Sequence, residues 1–340
     1  MKMARQKEYA HLLKPLVVKD GPAGLYPEPR FWAEGGKDWD GFDGNFSYGF
    51  FKGPAVCHPM EGAVVHPYDE ILVFAGTETT NARHLGGEAS IELGEEREEY
   101  VFDDPTIVVV PKGTVHGPAT IRGVYDKPIA HYSMGLAAEY KANSILAKSR
   151  PAKKSTGKKY AHLIKPLKCS GVPGQKSEGA YADSGSGLMV HPKTGLPYES
   201  PIDHEGVMHD RWHIGPGDAD HIIWVFGKDI EGFRLNFSWG FWNGCGKWQR
   251  AGECHAHPDE EAIIFVGLNP DNLNYLGAEL EIAIGENLER NLIKEPLAVV
   301  FPPGLVHLPM VTRWVDDTYS FIIFDRGTIH TAPWLDPEDL

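Results

Sequence analysis

The sequence predicts an all-β protein made of two tandem copies of one small barrel unit, and three observations predict it. The segment GKDWDGFDGNFSYGFFKG from Gly36 recurs as GKDIEGFRLNFSWGFWNG from Gly227, a shift of 191 positions. Without a gap, that shift also superimposes His66-Pro67 on His257-Pro258, Glu70 on Glu261, Gly113 on Gly304, His116 on His307 and Arg122 on Arg313. An internal repeat held in one register over this length defines the architecture before any local prediction does. Finally, short β-branched or aromatic runs (ILVFAG, TIVVVP, AIIFVG, LAVVFP, SFIIFD) are punctuated by Gly, Pro, Asn and Asp, the pattern of many short strands in a sandwich or small barrel.

The strands take their faces from alternation. NFSYGFF and NFSWGFW alternate small or polar residues with aromatics, so Phe237, Trp239 and Phe241 share one face while Ser238, Gly240 and Trp242 share the other. Most of these rings are expected in the core, but a barrel mouth lined by Trp239 and Phe241 would suit an aromatic or apolar substrate. The only candidate for a helix beyond a few turns is MGLAAEYKANSILAK from Met134.

A second match, YAHLLKPL from Tyr9 and YAHLIKPL from Tyr160, has a shift of only 151, so the second copy carries about 40 extra residues at about 169–226. The basic, apolar-poor stretch KANSILAKSRPAKKSTGKK reads as a linker, which puts one domain at 1–150 and the other at 151–340. The insert is Gly- and Pro-rich and holds His191, His204, His209 and His213, a composition suited either to a lid or to a plain excursion over the barrel.

Composition narrows the partners. With 33 Lys and Arg against 47 Asp and Glu, the formal charge of −14 argues against a general role on nucleic acid or an anionic membrane surface, leaving a small-molecule substrate as the expected partner of a monomer or homo-oligomer. Cys57, Cys169, Cys245 and Cys254 have no CxxC spacing, and no apolar N-terminal run reads as a signal or a span, so a reduced cytoplasmic setting is expected.

Ligand-type residues concentrate in the second copy. His255 and His257 are two apart and so point to one face of a strand, Glu261 follows a Pro258 turn, and His307 comes some 40 residues later behind Pro302-Pro-Gly304. Three imidazoles and one carboxylate suit one divalent first-row ion (Fe, Mn, Ni, Co, Cu or Zn) and leave coordination positions for a substrate. Glu260 and Glu253 should alternate away from that face.

These elements resemble the two motifs of the cupin superfamily, His-x-His-x(3,4)-Glu-x(5,6)-Gly and a later Pro-x-Gly-x-x-His, in the right order. The resemblance implies two jelly-roll cupin barrels in one chain, a bicupin, with His255, His257, Glu261 and His307 as metal ligands. It departs from the pattern at Val311, where the family usually has Asn. In the first copy Val64 stands opposite His255, so the motif is incomplete and offers only His66, Glu70 and His116, a possible facial triad for a second metal or a degenerate site retained for packing. His58, in CHPMEG, could replace the missing imidazole only if that segment folds inward. Two-step counting from His307 reaches Arg313, a candidate substrate-pocket residue that could clamp a carboxylate, or else form a structural pair with Asp317 or a neighbouring Glu.

The function implied is a metal-dependent enzyme on a small oxygenated substrate chelated at the C-terminal centre. A dioxygenase-type oxidoreductase leads; an oxygen-independent hydrolase, lyase or isomerase on a diketone or hydroxy-keto acid, and a non-catalytic ligand-binding bicupin, are the alternatives.

Overall fold

The computed structural model describes residues 7–81, 83–150, 158–167, 219–247, 254–327 and 334–335. It is built of antiparallel β-sheets, as the alternating and β-branched segments require. The boundary at Pro151 and residues 169–218 of the insert, with its histidines, lie outside the described residues, whereas the end assigned to the insert is barrel strand Ala219–Val225.

In the first barrel one sheet runs, in spatial order, Ile164–Pro166, Thr106–Val110, Glu70–Gly76, Ile129–Gly135, Asn45–Phe51, Arg30–Glu34 and Val18–Lys19. The facing sheet runs Asn143–Ile145, Ala63–Val65, His116–Val124, Gly87–Leu93 and Glu98–Phe102, with Ala55–Cys57 also on His116–Val124. The second barrel repeats the plan. One sheet orders Leu13–Pro15, Leu297–Phe301, Glu261–Gly267, Tyr319–Asp325, Asn236–Trp242 and Ala219–Val225, and the other is built around Ala278–Ile284 and His307–Val315. This is the two-jelly-roll architecture the repeat predicts.

In one sheet of each barrel the first strand comes from the opposite repeat. Leu13–Pro15 pairs with Leu297–Val299 of the second barrel, whereas Ile164–Pro166 pairs with Thr106–Val108 of the first. The duplicated YAHL(L/I)KPL segments are therefore exchanged straps, each covering an edge that would otherwise expose unpaired backbone. Tyr9 and Tyr160 seat them reciprocally. A Cβ on Gly285 would lie 2.4 Å from the Tyr9 ring, and one on Gly94 would lie 2.4 Å from the Tyr160 ring.

Between the barrels, the aromatic face of Asn236–Trp242 packs on that of Asn45–Phe51. Trp239 stacks on Tyr132 at 5.4 Å and meets Tyr48 at 6.2 Å, while Phe42 meets Phe324 edge-on at 5.0 Å. Trp239 and Phe241 are each 1% exposed, in a core shared with the first barrel. Alternation assigned their common face correctly, but that face meets the neighbouring barrel, so neither ring lines a substrate pocket. The inward face of the same strand carries Trp242, against Phe321 and Tyr319.

The stretch from Met134 is not a helix. Strand Ile129–Gly135 ends within it, Asn143–Ile145 pairs with Ala63–Val65, and Ala147–Ser149 makes one 3-10 turn. Arg150 explains the extended path: its buried guanidinium donates to the carbonyls of Gly62, Gly94 and Gly117, pinning the segment across the barrel. Tertiary hydrogen bonding thus overrides a favourable helical composition.

Candidate metal centres

In the second barrel the two motifs converge through sheet register. His255 is the cross-strand partner of His307, and Glu261 opens the strand that follows the Pro258 turn. The ligand atoms of His255, His257 and His307 lie within 4.8 Å of one another, all three residues buried. Glu261 Oε2 is 3.5 Å from His257 Nε2 and 3.2 Å from His307 Nε2. His307 Nδ1–H donates to the Leu305 carbonyl at 2.9 Å, and its ring stacks on Phe301, so its Nε2 is turned inward. The four residues expected from the motifs are brought together. Glu260, expected to point away, accepts instead from the Asp43 amide of the other barrel.

The first barrel holds a matching cluster whose fourth member comes from outside the motif. Val64 pairs with His116 just as His255 pairs with His307, which confirms that Val64 occupies the vacated position. The missing imidazole is supplied by His58, at the end of strand Ala55–Cys57, whose pairing with Ala119–Ile121 turns the next residue inward. His58, His66, Glu70 and His116 place their ligand atoms within 4.8 Å of one another, all buried. Glu70 Oε2 lies 3.1 Å from His58 Nε2, 3.3 Å from His66 Nε2 and 3.4 Å from His116 Nε2. The repeat register puts Gln249 at the His58 position of the second copy, so the copies use different strands for one ligand.

Hydrogen bonding fixes the tautomers. His66 Nδ1–H donates to the Lys141 carbonyl at 2.7 Å and His116 Nδ1–H to the Thr114 carbonyl at 3.0 Å. A neutral ring that donates from Nδ1 carries its lone pair on Nε2. The buried Nε2 atoms of His66 and His116 have no hydrogen-bond partner, and each faces a carboxylate oxygen. Lone pairs facing one anionic oxygen in a dry pocket repel unless a cation lies among them, so the donor set fits a divalent ion. Burial alone would push the Glu70 carboxyl up; the imidazoles of His58, His66 and His116 gathered around it hold it well below the usual carboxylate range. The ligand is thus ready in its ionised form.

Not every buried histidine belongs to a centre. His131 donates Nδ1–H to the Val73 carbonyl and stacks on Phe74 at 4.5 Å. Burial and the nearby Arg30 cation keep it neutral, its pKa well below the ordinary imidazole value.

Arg313 is misplaced by two-step counting. His307 pairs with Ile284 but Met310 with Ile282, so the strand carries an irregularity in which inward residues are three apart and the parity beyond it is reversed. Thr312 is consequently buried and Arg313 half-exposed, paired with Glu281 at 2.8 Å on the outer surface. Arg122 behaves alike in the first copy, pairing with Glu99 at 2.9 Å. Both arginines are surface ion-pair residues, not substrate clamps.

No protein-family model and no curated protein sequence matches the chain. Solved structures do. A mutant of oxalate decarboxylase from Bacillus subtilis superimposes with a TM-score of 0.50 at 9% identity, over 90% of this chain and 75% of that one. The same enzyme, in a study of its Mn(II) centres, gives a TM-score of 0.50 at 9% identity with the same coverage. At this identity the likeness concerns the fold, and it agrees with the sheet order, the repeat and the motif positions. The chain has the two-domain cupin fold, that of a bicupin.

Proposed function

We propose that this bicupin is a metal-dependent enzyme with a 3-His/1-Glu centre in each barrel, acting on a small oxygenated organic acid that chelates the ion. The observation that carries this reading is the convergence of His58, His66, Glu70 and His116, with His66 and His116 turned by their Nδ1 bonds so that their lone pairs face inward. When bound, a divalent ion would act as Lewis acid and template, leaving positions open to two substrate oxygens. The protein's own part is to fix ring orientation through the Leu305, Lys141 and Thr114 carbonyls and to exclude water with buried walls. His255, His257, Glu261 and His307 are the ligands in the second barrel.

Within this class we take carbon–carbon cleavage as the reaction, in a dioxygenase-type form that consumes O2. A second reading, oxygen-independent decarboxylation, draws support from the fold likeness to oxalate decarboxylase. Oxygen-electrode and product assays of metal-loaded protein against oxalate, β-diketones and hydroxy-keto acids, under air and under nitrogen, separate them. Turnover only with O2 supports the dioxygenase form; turnover under nitrogen supports the lyase form. Stoichiometric binding without turnover in either gas would leave a ligand-binding bicupin.

A further inference from the structure

The interior of the first barrel holds a cation with no anion. Arg30, at the start of strand Arg30–Glu34, is 3% exposed. Its guanidinium lies 4.0 Å over the Tyr26 ring and donates from Nη2 to the His131 carbonyl; Nε has no partner. Among the described residues no carboxylate reaches ion-pair distance of it. Every other buried arginine among the described residues, Arg150 and Arg326, has an acid within 3.4 Å. A buried unpaired guanidinium is costly, so one that persists calls for a counter-ion.

Arg30 also lines a cavity of about 260 Å³ shared with Tyr26, Pro29, Gly49, Phe51 and Ala55. That is room for several waters or a small organic molecule. Gly49 is what lets the guanidinium lie flat, since a Cβ there would come within 3.0 Å of the Arg30 Cβ and 3.5 Å of Cζ. At the matching positions of the second barrel, Ile222 stands by register against Gly240, and Phe321 takes the place of His131.

We propose that this cavity is a binding site for a small organic carboxylate, anchored by Arg30 and distinct from both metal centres. A carboxylate suits it better than a phosphate. The site offers one planar fork of N–H donors within mainly apolar walls, and of the two charged residues at its rim, Lys52 is ion-paired with Asp271 and Glu28 would repel a dianion. The site communicates with the first centre, because the Tyr26 ring under Arg30 carries the hydroxyl that hydrogen-bonds His58 Nδ1 at 3.0 Å and Ser47 at 3.2 Å.

The test combines crystal soaks of the full-length protein in 5-bromo-2-furoate, a carboxylate whose ring-bound bromine thiols and imidazoles do not displace, with calorimetric titration of acetate and malonate into wild type, Arg30→Met and Arg30→Lys. We expect an anomalous bromine peak against Arg30 and affinity at least ten-fold weaker in Arg30→Met, partly retained in Arg30→Lys, with metal content per chain unchanged. Bromine found only at the His/Glu clusters, or nowhere, would overturn the proposal, as would equal affinity in wild type and Arg30→Met. The soak needs no variant, so a poorly folding Arg30→Met leaves the question decidable. It also needs no turnover, so failure of the enzymatic reading and failure of this one are separately visible.

Discussion

At the residue scale, the informative position is His58. The motif describes ligands by their spacing along one strand and turn, and by that measure the first copy lacks an imidazole at Val64. Spacing could not reveal that a neighbouring strand, Ala55–Cys57, delivers a histidine into the same space, because that depends on its pairing with Ala119–Ile121. The exchange is testable by moving the ligand back. His58→Ala should cost the first barrel its ion in elemental analysis, and His58→Ala with Val64→His should restore it, since Val64 faces His116 as His255 faces His307. Arg313 teaches the complementary lesson: the irregularity after His307 reverses strand parity, and nothing in the residue types announces it. Arg313→Ala should change stability by less than about 1 kcal/mol, as for other exposed ion pairs, and leave metal content and turnover unaltered.

At the scale of elements, the strands were legible because alternation and β-branching are local, whereas the strap exchange was not. Both octapeptides look alike in sequence, and only pairing shows that Leu13–Pro15 serves the second barrel and Ile164–Pro166 the first. Gly94 and Gly285 are the contact points, at φ 74° and 78°. Gly285→Ala should therefore strain the backbone and displace Tyr9, destabilising by about 1–3 kcal/mol. The loss should appear in thermal unfolding of the second barrel, with the metal of the first barrel retained.

For the whole molecule, the duplication and the two-barrel fold were readable from the ungapped register, and the destination of the aromatic face was not. Alternation groups Phe237, Trp239 and Phe241, but whether their face meets substrate or another barrel is a question of tertiary assembly. The structure answers it with Trp239 stacked on Tyr132. Trp239→Ala should cost about 3–5 kcal/mol through the cavity it leaves. Differential scanning calorimetry should then show weakened coupling between the barrels, with metal stoichiometry preserved. The described residues include no helix long and apolar enough to cross a membrane.

The central claim is that both barrels carry a complete ligand set, one from the motif and one completed by His58. Elemental analysis of metal per chain tests it most directly. The account predicts two ions per wild-type chain, one in His58→Ala, one in Glu261→Ala and essentially none in the double variant. One ion per wild-type chain, lost in Glu261→Ala and untouched in His58→Ala, would contradict it.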